Sequence, residues 1–437
     1  MTMDLLIRNA IVVTMDAERT VHPHADIAVT DGGIESVQAA GSVTDVGVAR
    51  VIDTGGGIVM PGLVNAHTHL AMTMFRGLAD DLDLDGFLAR LLPAEGAVLS
   101  ASTVAAGTAL AVAECLRAGI TTAMDMYFFP EAASAVADGT GLHLLTGPVF
   151  VEFPGADDRP FPQRIVWARE YLADAPAEQR FVCPHSTYLL SEDQLRAVGE
   201  LAAEQGAGVH VHACETAAEL AQVAARHGGR SPIEVLRDTG LLGSRTVLAH
   251  GVHLTDSDLD LIATSGAAVA HCPASNLKLS SGVARIPDLL AAGVPVALGT
   301  DGAASANDLD PWMAMRLAAY AQAAHHGARA VRAGDILAMA TIDGARALGI
   351  ADRTGSIEPG KRADLVVLDG TSAALTPSYD PVSTIAYAAS RADVRWVIAG
   401  GQVAVDDRQV TTIDVAAAVE AVRDLVPHIR STAGGRT

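Results

Sequence analysis

The sequence predicts an α/β protein built on a (β/α)8 TIM barrel, and three observations carry that prediction. First, 437 residues are enough for a barrel of about 250 residues with insertions and a small second domain. Second, short apolar runs recur along the chain, and several end in a histidine or an aspartate: Ile58–Val64 before His67 and His69, Gly208–Val211 before His212, Thr246–Ala249 before His250, and Val294–Thr300 before Asp301. Runs of this kind suit buried parallel strands. Third, segments of helical composition lie between the runs, at 101–118, 192–205, 216–227 and 333–348.

Taken in order, residues 4–13 and 26–38 alternate in hydropathy and read as strands. The barrel follows, over 59–355. Within it, 154–162 is Pro-rich and reads as a mobile loop over the face where the strand ends meet. Beyond a Gly-rich turn, 365–368 and 394–403 read as short strands. The stretch 412–428 has the pattern of a final amphipathic helix, and 431–437 reads as a disordered tail. No internal repeat is visible.

Asn65-Ala66-His67-Thr68-His69 is the most informative segment. Histidines at i and i+2 on a strand share a face. At the strand's carboxyl end, two neutral imidazoles can hold one divalent cation. Any one such histidine is as readily a hydrogen-bonded core residue. Four strand-end histidines and Asp301 together are much harder to obtain from packing alone. Residues at the carboxyl ends of successive barrel strands converge on one face. Three nitrogens, one carboxylate oxygen and an open position suit a catalytic zinc. The chain has only two lysines, Lys278 and Lys361, and none on the candidate middle strand 180–185. A bridged two-metal site would want a modified lysine there, so one metal ion per chain is expected.

Composition excludes other classes. The net charge of −21 and the lack of a basic patch argue against nucleic acid. No run of about 18 apolar residues is present, so no membrane span is expected. The N-terminus lacks the features of a signal peptide. Cys115, Cys183, Cys214 and Cys272 have no CxxC spacing, lie mostly in apolar strands and read as reduced core residues of a cytoplasmic protein.

Seven segments carry a resemblance over nearly the whole chain: Pro61–His69, Met74–Gly77 with Leu92–Glu95, Pro184–Ser186, His212–Glu215, Ala249–His253, Pro273–Leu279 and Gly299–Ser305. On these the chain resembles the amidohydrolase superfamily, in its cytosine deaminase-like and chlorohydrolase-like branch. The resemblance is strongest to the S-adenosylhomocysteine/5′-methylthioadenosine deaminase group. It implies a small β-sandwich built from both termini, dividing the chain into 1–58, 59–355 and 356–437. It implies zinc held by His67, His69, His212 and Asp301, with iron or manganese able to use the same ligands. It implies that Asp301 takes the proton of the attacking water, that Glu215 protonates the ring nitrogen, and that His250 orients the hydroxide and stabilises the tetrahedral intermediate. Glu95 would accept from ribose hydroxyls, and His185 would bond a purine nitrogen or a sugar oxygen. The implied reaction is hydrolytic deamination of an adenine nucleoside: adenosine, 5′-methylthioadenosine, 5′-deoxyadenosine or S-adenosylhomocysteine. The alternative is deamination or dechlorination of another heteroaromatic ring, a guanine- or pterin-like base or an s-triazine. The partner is a small molecule, and relatives assemble as dimers or tetramers.

One departure stands out. Adenosine-type relatives often carry an arginine where this chain has Gly147, in Leu144-Leu145-Thr146-Gly147-Pro148. Arg159 and Arg164 could substitute, but each reads first as a solvated surface residue. Tyr127-Phe128-Phe129 could stack on a purine or simply pack. Ser275 and Asn276 read as a structural turn and His210 as a core or supporting residue, with His253 and His271 unassigned.

Overall fold

The structure, a computed structural model, describes residues 3–433. Both ends of the chain meet in one hydrogen-bonded sheet of nine strands. The amino-terminal part supplies Leu5–Val13, Val21–Thr30, Gly33–Ala39, Arg50–Asp53 and Ile58–Pro61. The carboxyl-terminal part supplies Leu365–Leu368, Val394–Ala399, Gln402–Asp406 and Gln409–Val410. The two parts join where Leu365–Leu368 pairs antiparallel with Ile58–Pro61. Residues 26–38, read above as one strand, are two. They fold back at Asp31-Gly32, both with positive φ (51° and 74°), the Asp-Gly hairpin turn.

The apolar run 58–64 is likewise two strands rather than one. The break at Gly62 has a steric cause: a Cβ there would sit 2.1 Å from the Thr121 hydroxyl. Gly62 lets the chain leave the terminal sheet and start a second set of strands, all parallel. These are β1 (Leu63–His69), β2 (Ile120–Asp125), β3 (His143–Thr146, resumed at Val149–Phe150), β4 (Phe181–Pro184), β5 (Gly208–Ala213), β6 (Thr246–His250), β7 (Ala268–His271) and β8 (Val296–Leu298, resumed at Asp301–Gly302). They form two arcs. One contains the second piece of β8, β1, β2 and the first piece of β3; the other runs from the second piece of β3 through β4–β7 to the first piece of β8. Only Gly147-Pro148 and Gly299-Thr300 separate the pieces, so the chain itself carries one arc into the other at both edges. Nearly every residue of these strands is buried, which explains their continuous apolar character.

The predicted helices at 101–118 and 192–205 have those bounds, and 216–227 forms Ala217–Arg226. Residues 333–348 split into Ala333–Met339 and Ile342–Ala347. Two hydrogen bonds account for the break. The Thr341 hydroxyl donates back to the Leu337 carbonyl (2.6 Å), and Val64 N–H on β1 takes the Ala340 carbonyl (2.8 Å). The last helix, Val415–Thr432, is longer than expected; it covers 431–432, and 434–437 lie outside the described residues. All four cysteines are buried and free, and Cys115 lies in the helix Ala101–Ala118 rather than in a strand.

The loop after β3 corrects a second expectation. Arg164 is not a solvated surface residue: its side chain is 1% exposed. Its guanidinium pairs with Asp157 and donates to the carbonyls of Val149 (3.1 Å) and Arg159 (3.1 Å). Residues 154–160 are thereby strapped to β3, and Phe161–Asp174 continues as a helix. Among the described residues no single helix is long and apolar enough to cross a membrane.

Candidate active site and metal centre

Every site residue chosen from the sequence except Glu95 stands at or just beyond the carboxyl end of a parallel strand. His67 and His69 end β1, His185 follows β4, His212 and Glu215 flank the end of β5, His250 closes β6 and Asp301 opens the second piece of β8. Their side chains meet. His69 Nε2 is 3.3 Å from His212 Nε2, and Asp301 Oδ1 is 3.4 Å from His67 Nε2 and 3.2 Å from His69 Nε2. Candidate ligand atoms of His67, His69 and His212 lie within 4.8 Å of one another, as do those of His67, His250 and Asp301.

The donor set fits a divalent cation for three reasons. The far nitrogen of each ligand histidine is already engaged: His69 Nδ1 with the Met126 carbonyl (2.6 Å), His212 Nδ1 with the His185 carbonyl (2.8 Å) and His67 Nδ1 with His210 Nε2 (2.7 Å). Such contacts orient the rings and leave the Nε2 lone pairs for a metal. His67 Nε2 is buried with no hydrogen-bond partner, an arrangement that costs free energy unless a cation takes the lone pair. Burial also holds His67 down to about 4 and His212 well below the usual histidine range, keeping both neutral as ligation requires. Burial alone would raise the Asp301 carboxyl, but the imidazoles of His67 and His69 beside it outweigh burial and hold the group well below its usual range.

Around these ligands sits a second layer of polar groups. Ser305 Oγ donates to Asp301 Oδ2 (2.8 Å). His250 Nδ1 faces Asn276 Oδ1 at 2.9 Å, and its Nε2 is 3.8 Å from Glu215 Oε2. Asn276 is therefore the residue that aims His250, a role that the reading as a structural turn understated. Burial raises the Glu215 carboxyl, which favours keeping a proton to donate. The backbone N–H groups of Cys214 and Glu215 donate to the Glu219 carboxylate (3.0 and 2.6 Å). Sequence reading passed over Glu219, although Thr216-x-x-Glu219 is a helix-capping signal, and the Thr216 hydroxyl accepts from Glu219 N–H. It also passed over Ser305, for which a lone serine offers no signal. Cys214, His250 and Asp301 all have positive φ (56°, 74° and 59°), so three non-glycine residues hold strained backbone after β5, at the end of β6 and at the second piece of β8.

A pocket opens beyond the ligands. His69, His212 and Asp301 line it together with Glu215, His250 and His185. The helix Leu84–Val98 contributes Glu95 and a stripe of leucines. Tyr127 donates its hydroxyl to Glu95, and burial pushes the Glu95 carboxyl up to about 6. Burial holds His185 near 3, so it meets a ligand as a neutral ring. Of the sequence candidates, Arg164 and Arg159 are not brought into this pocket; Arg159 pairs with Asp157 (3.1 Å) and stacks on Trp167. His253 braces the Ser281 carbonyl (2.7 Å), while both nitrogens of buried His271 lack a partner.

Parallel strands with histidine and aspartate ligands at their carboxyl ends define a metal-dependent hydrolase arrangement. The amidohydrolase family profile matches residues 58–404, and the chain belongs to that family. It is 39% identical over 433 residues to a 5-methylthioadenosine/S-adenosylhomocysteine deaminase of Syntrophobacter fumaroxidans, covering 98% of each chain. It is 37% identical over 438 residues to a 5′-deoxyadenosine deaminase of Methanosarcina barkeri, covering 98% of this chain and 100% of that one. Among solved structures it is similar to an adenosine deaminase of Xanthomonas campestris with bound zinc: TM-score 0.92, 38% identity, 98% of this chain and 99% of that one. Family and structural likeness together carry an α/β fold of TIM-barrel type, and the enzyme is a hydrolytic deaminase.

Proposed function

We propose that the protein deaminates an adenine nucleoside hydrolytically, releasing ammonia and leaving the inosine analogue. The observation that carries the reading is one pocket lined by His69, His212, Asp301, Glu215 and the Tyr127-bonded Glu95, with His67 grouped beside the same candidate ligands. The relatives' activities on adenosine-type nucleosides support it.

His67, His69, His212 and Asp301 would hold one ion, with zinc favoured by the nitrogen-rich donor set and iron or manganese able to use it. A bound divalent metal would lower the pKa of a water to about 7, making hydroxide available near neutral pH. Asp301 accepts the proton of the attacking water. Glu215 protonates the ring nitrogen as the ring carbon becomes tetrahedral. His250, aimed by Asn276, orients the oxygen that adds. The proton taken by Asp301 leaves with the amine as ammonia, the hydroxyl proton returns to Glu215 as the carbonyl forms, and the ring keeps the oxygen. Glu95 accepts from the ribose hydroxyls, and His185 bonds a purine nitrogen or a sugar oxygen.

The two arcs are read as one closed eight-stranded barrel, supported by the two-residue links at both edges. The terminal sheet is read as a small β-sandwich, with the chain divided at 1–58, 59–355 and 356–437 and the first crossing inside Ile58–Pro61. A cytoplasmic homo-oligomer, dimer or tetramer, completes the reading.

The test is ammonia release from zinc-loaded protein over adenosine, 5′-methylthioadenosine, 5′-deoxyadenosine, adenine, guanine and a triazine. Turnover confined to the nucleosides is expected. Ammonia only from a free base or from the triazine would refute the nucleoside reading while leaving a metal hydrolase.

A further inference from the structure

We propose that the leucine-lined wall of the pocket selects an apolar 5′ substituent and discriminates against one that ends in a carboxylate. This rests on the adenine-nucleoside reading and deepens it.

Leu84, Leu88, Leu91 and Glu95 recur at the spacing that puts residues on one face of the helix Leu84–Val98, and Phe87 and Leu92 flank that row. All six line the pocket. A ribose held at Glu95 therefore has its next substituent against leucine and phenylalanine. Among the described residues, no lysine or arginine lines the pocket.

The cations on neighbouring segments are committed elsewhere. Arg76 pairs with Glu114, and Lys278 binds Asp80 (2.8 Å). Arg159 and Arg164 share Asp157, and Arg90 directs its Nε to the Leu78 carbonyl (2.6 Å). Position 147 cannot supply a guanidinium either: a Cβ on Gly147 would lie 2.0 Å from the Phe181 carbonyl oxygen. The same helix instead carries Asp85, and the chain as a whole is at −21. A carboxylate placed here would lose water and meet no lysine or arginine.

The experiment compares kcat/KM of the zinc-loaded enzyme for three nucleosides: 5′-methylthioadenosine, 5′-butylthioadenosine and S-adenosylhomocysteine, with adenosine as reference. The butylthio compound matches the homocysteine tail in length and carries no charge. The expected result is near-parity of the two alkylthio compounds and a deficit of about a hundredfold for S-adenosylhomocysteine, the scale of an unpaired carboxylate moved out of water. In Leu92→Arg the deficit should shrink by about tenfold, since Leu92 is half exposed (50%) and an arginine there can keep its charge in water. S-adenosylhomocysteine at parity with the butylthio compound would overturn the inference. So would a butylthio compound as poor as S-adenosylhomocysteine, which would make length the filter, or an unchanged deficit in Leu92→Arg. Adenosine left intact would instead overturn the nucleoside reading itself.

Discussion

His67 can offer its Nε2 to a metal only if its Nδ1 carries the proton. That nitrogen lies 2.7 Å from His210 Nε2, so His210 must accept there and keep its own proton on Nδ1, which is buried without a partner. His210 is thus a positioning residue that sets the tautomer of a ligand. His210→Phe should weaken zinc binding by about 10–100-fold, the usual cost of losing such a support, and His210→Gln, which keeps an acceptor, should recover part of it. Competition with a chromophoric chelator measures both without reference to turnover. Glu95 gives a pH prediction. Burial raises its pKa to about 6, so the carboxylate form is the one lost as pH falls through about 6. Only that form accepts from two hydroxyls at once. KM for nucleosides should therefore rise about tenfold per pH unit below about 6, and Glu95→Gln should flatten the profile. A KM in Glu95→Gln that still rises with acid would assign the titration to another group. At this scale the candidate ligands were legible because strand-end histidines break an apolar pattern. Glu219 and the aiming role of Asn276 were not, because their partners are backbone groups or remote in sequence, and the Ser305 contact to Asp301 four residues earlier has no pattern of its own.

The element that decides access is the helix Leu84–Val98. It also packs with the carboxyl-terminal helix: Phe87, Leu91, Val98, Val422 and Ile429 share one apolar cluster with Met74 and Phe75 after β1. Ile429, 3% exposed, lies in that cluster. Ile429→Ala should cost about 2–5 kcal/mol locally and raise KM more than it lowers kcat, since it loosens the pocket wall rather than the reacting groups. Denaturant unfolding and steady-state kinetics check the two halves. Equal losses in both kinetic constants would remove the helix pair from substrate binding. Gly147 makes a second point at this scale. Pro-Gly and Gly-Pro steps read as generic turns in sequence, but Gly62 and Gly147 mark places where another strand comes within about 2 Å of where a Cβ would be. Gly147→Ala should disturb β3 against β4 and lower Tm by several degrees. The strand bounds erred where a run crossed such a glycine, as at 58–64, and the helix bounds erred where a β-strand amide took a helical carbonyl, as at Ala340.

For the whole molecule, the metal ties together strands far apart in sequence. His67 on β1, His212 on β5 and Asp301 on β8 bring their candidate ligand atoms together. Binding to this folded site alone should stabilise the protein by about 2.7 kcal/mol when free zinc is a hundredfold above its Kd. Thermal unfolding with and without a chelator measures it. His212→Ala should abolish the zinc-dependent shift, and a shift that survives would place the metal elsewhere.

By itself, the sequence determined the parallel-strand architecture, the terminal strands, the helix at 101–118, and which strand-end histidines and aspartate to take as candidate ligands. Apolar runs ending in His or Asp are local, periodic features that no distant contact is needed to read. Only the tertiary structure decided three further things. His210 supports His67 across strands 143 positions apart. Arg164 is buried as a loop strap rather than exposed. The leucine stripe of 84–98 faces the pocket together with Glu95. Each of these depends on which surfaces are apposed once the chain has folded, and a helix face or a lone polar side chain carries no mark of its eventual neighbour.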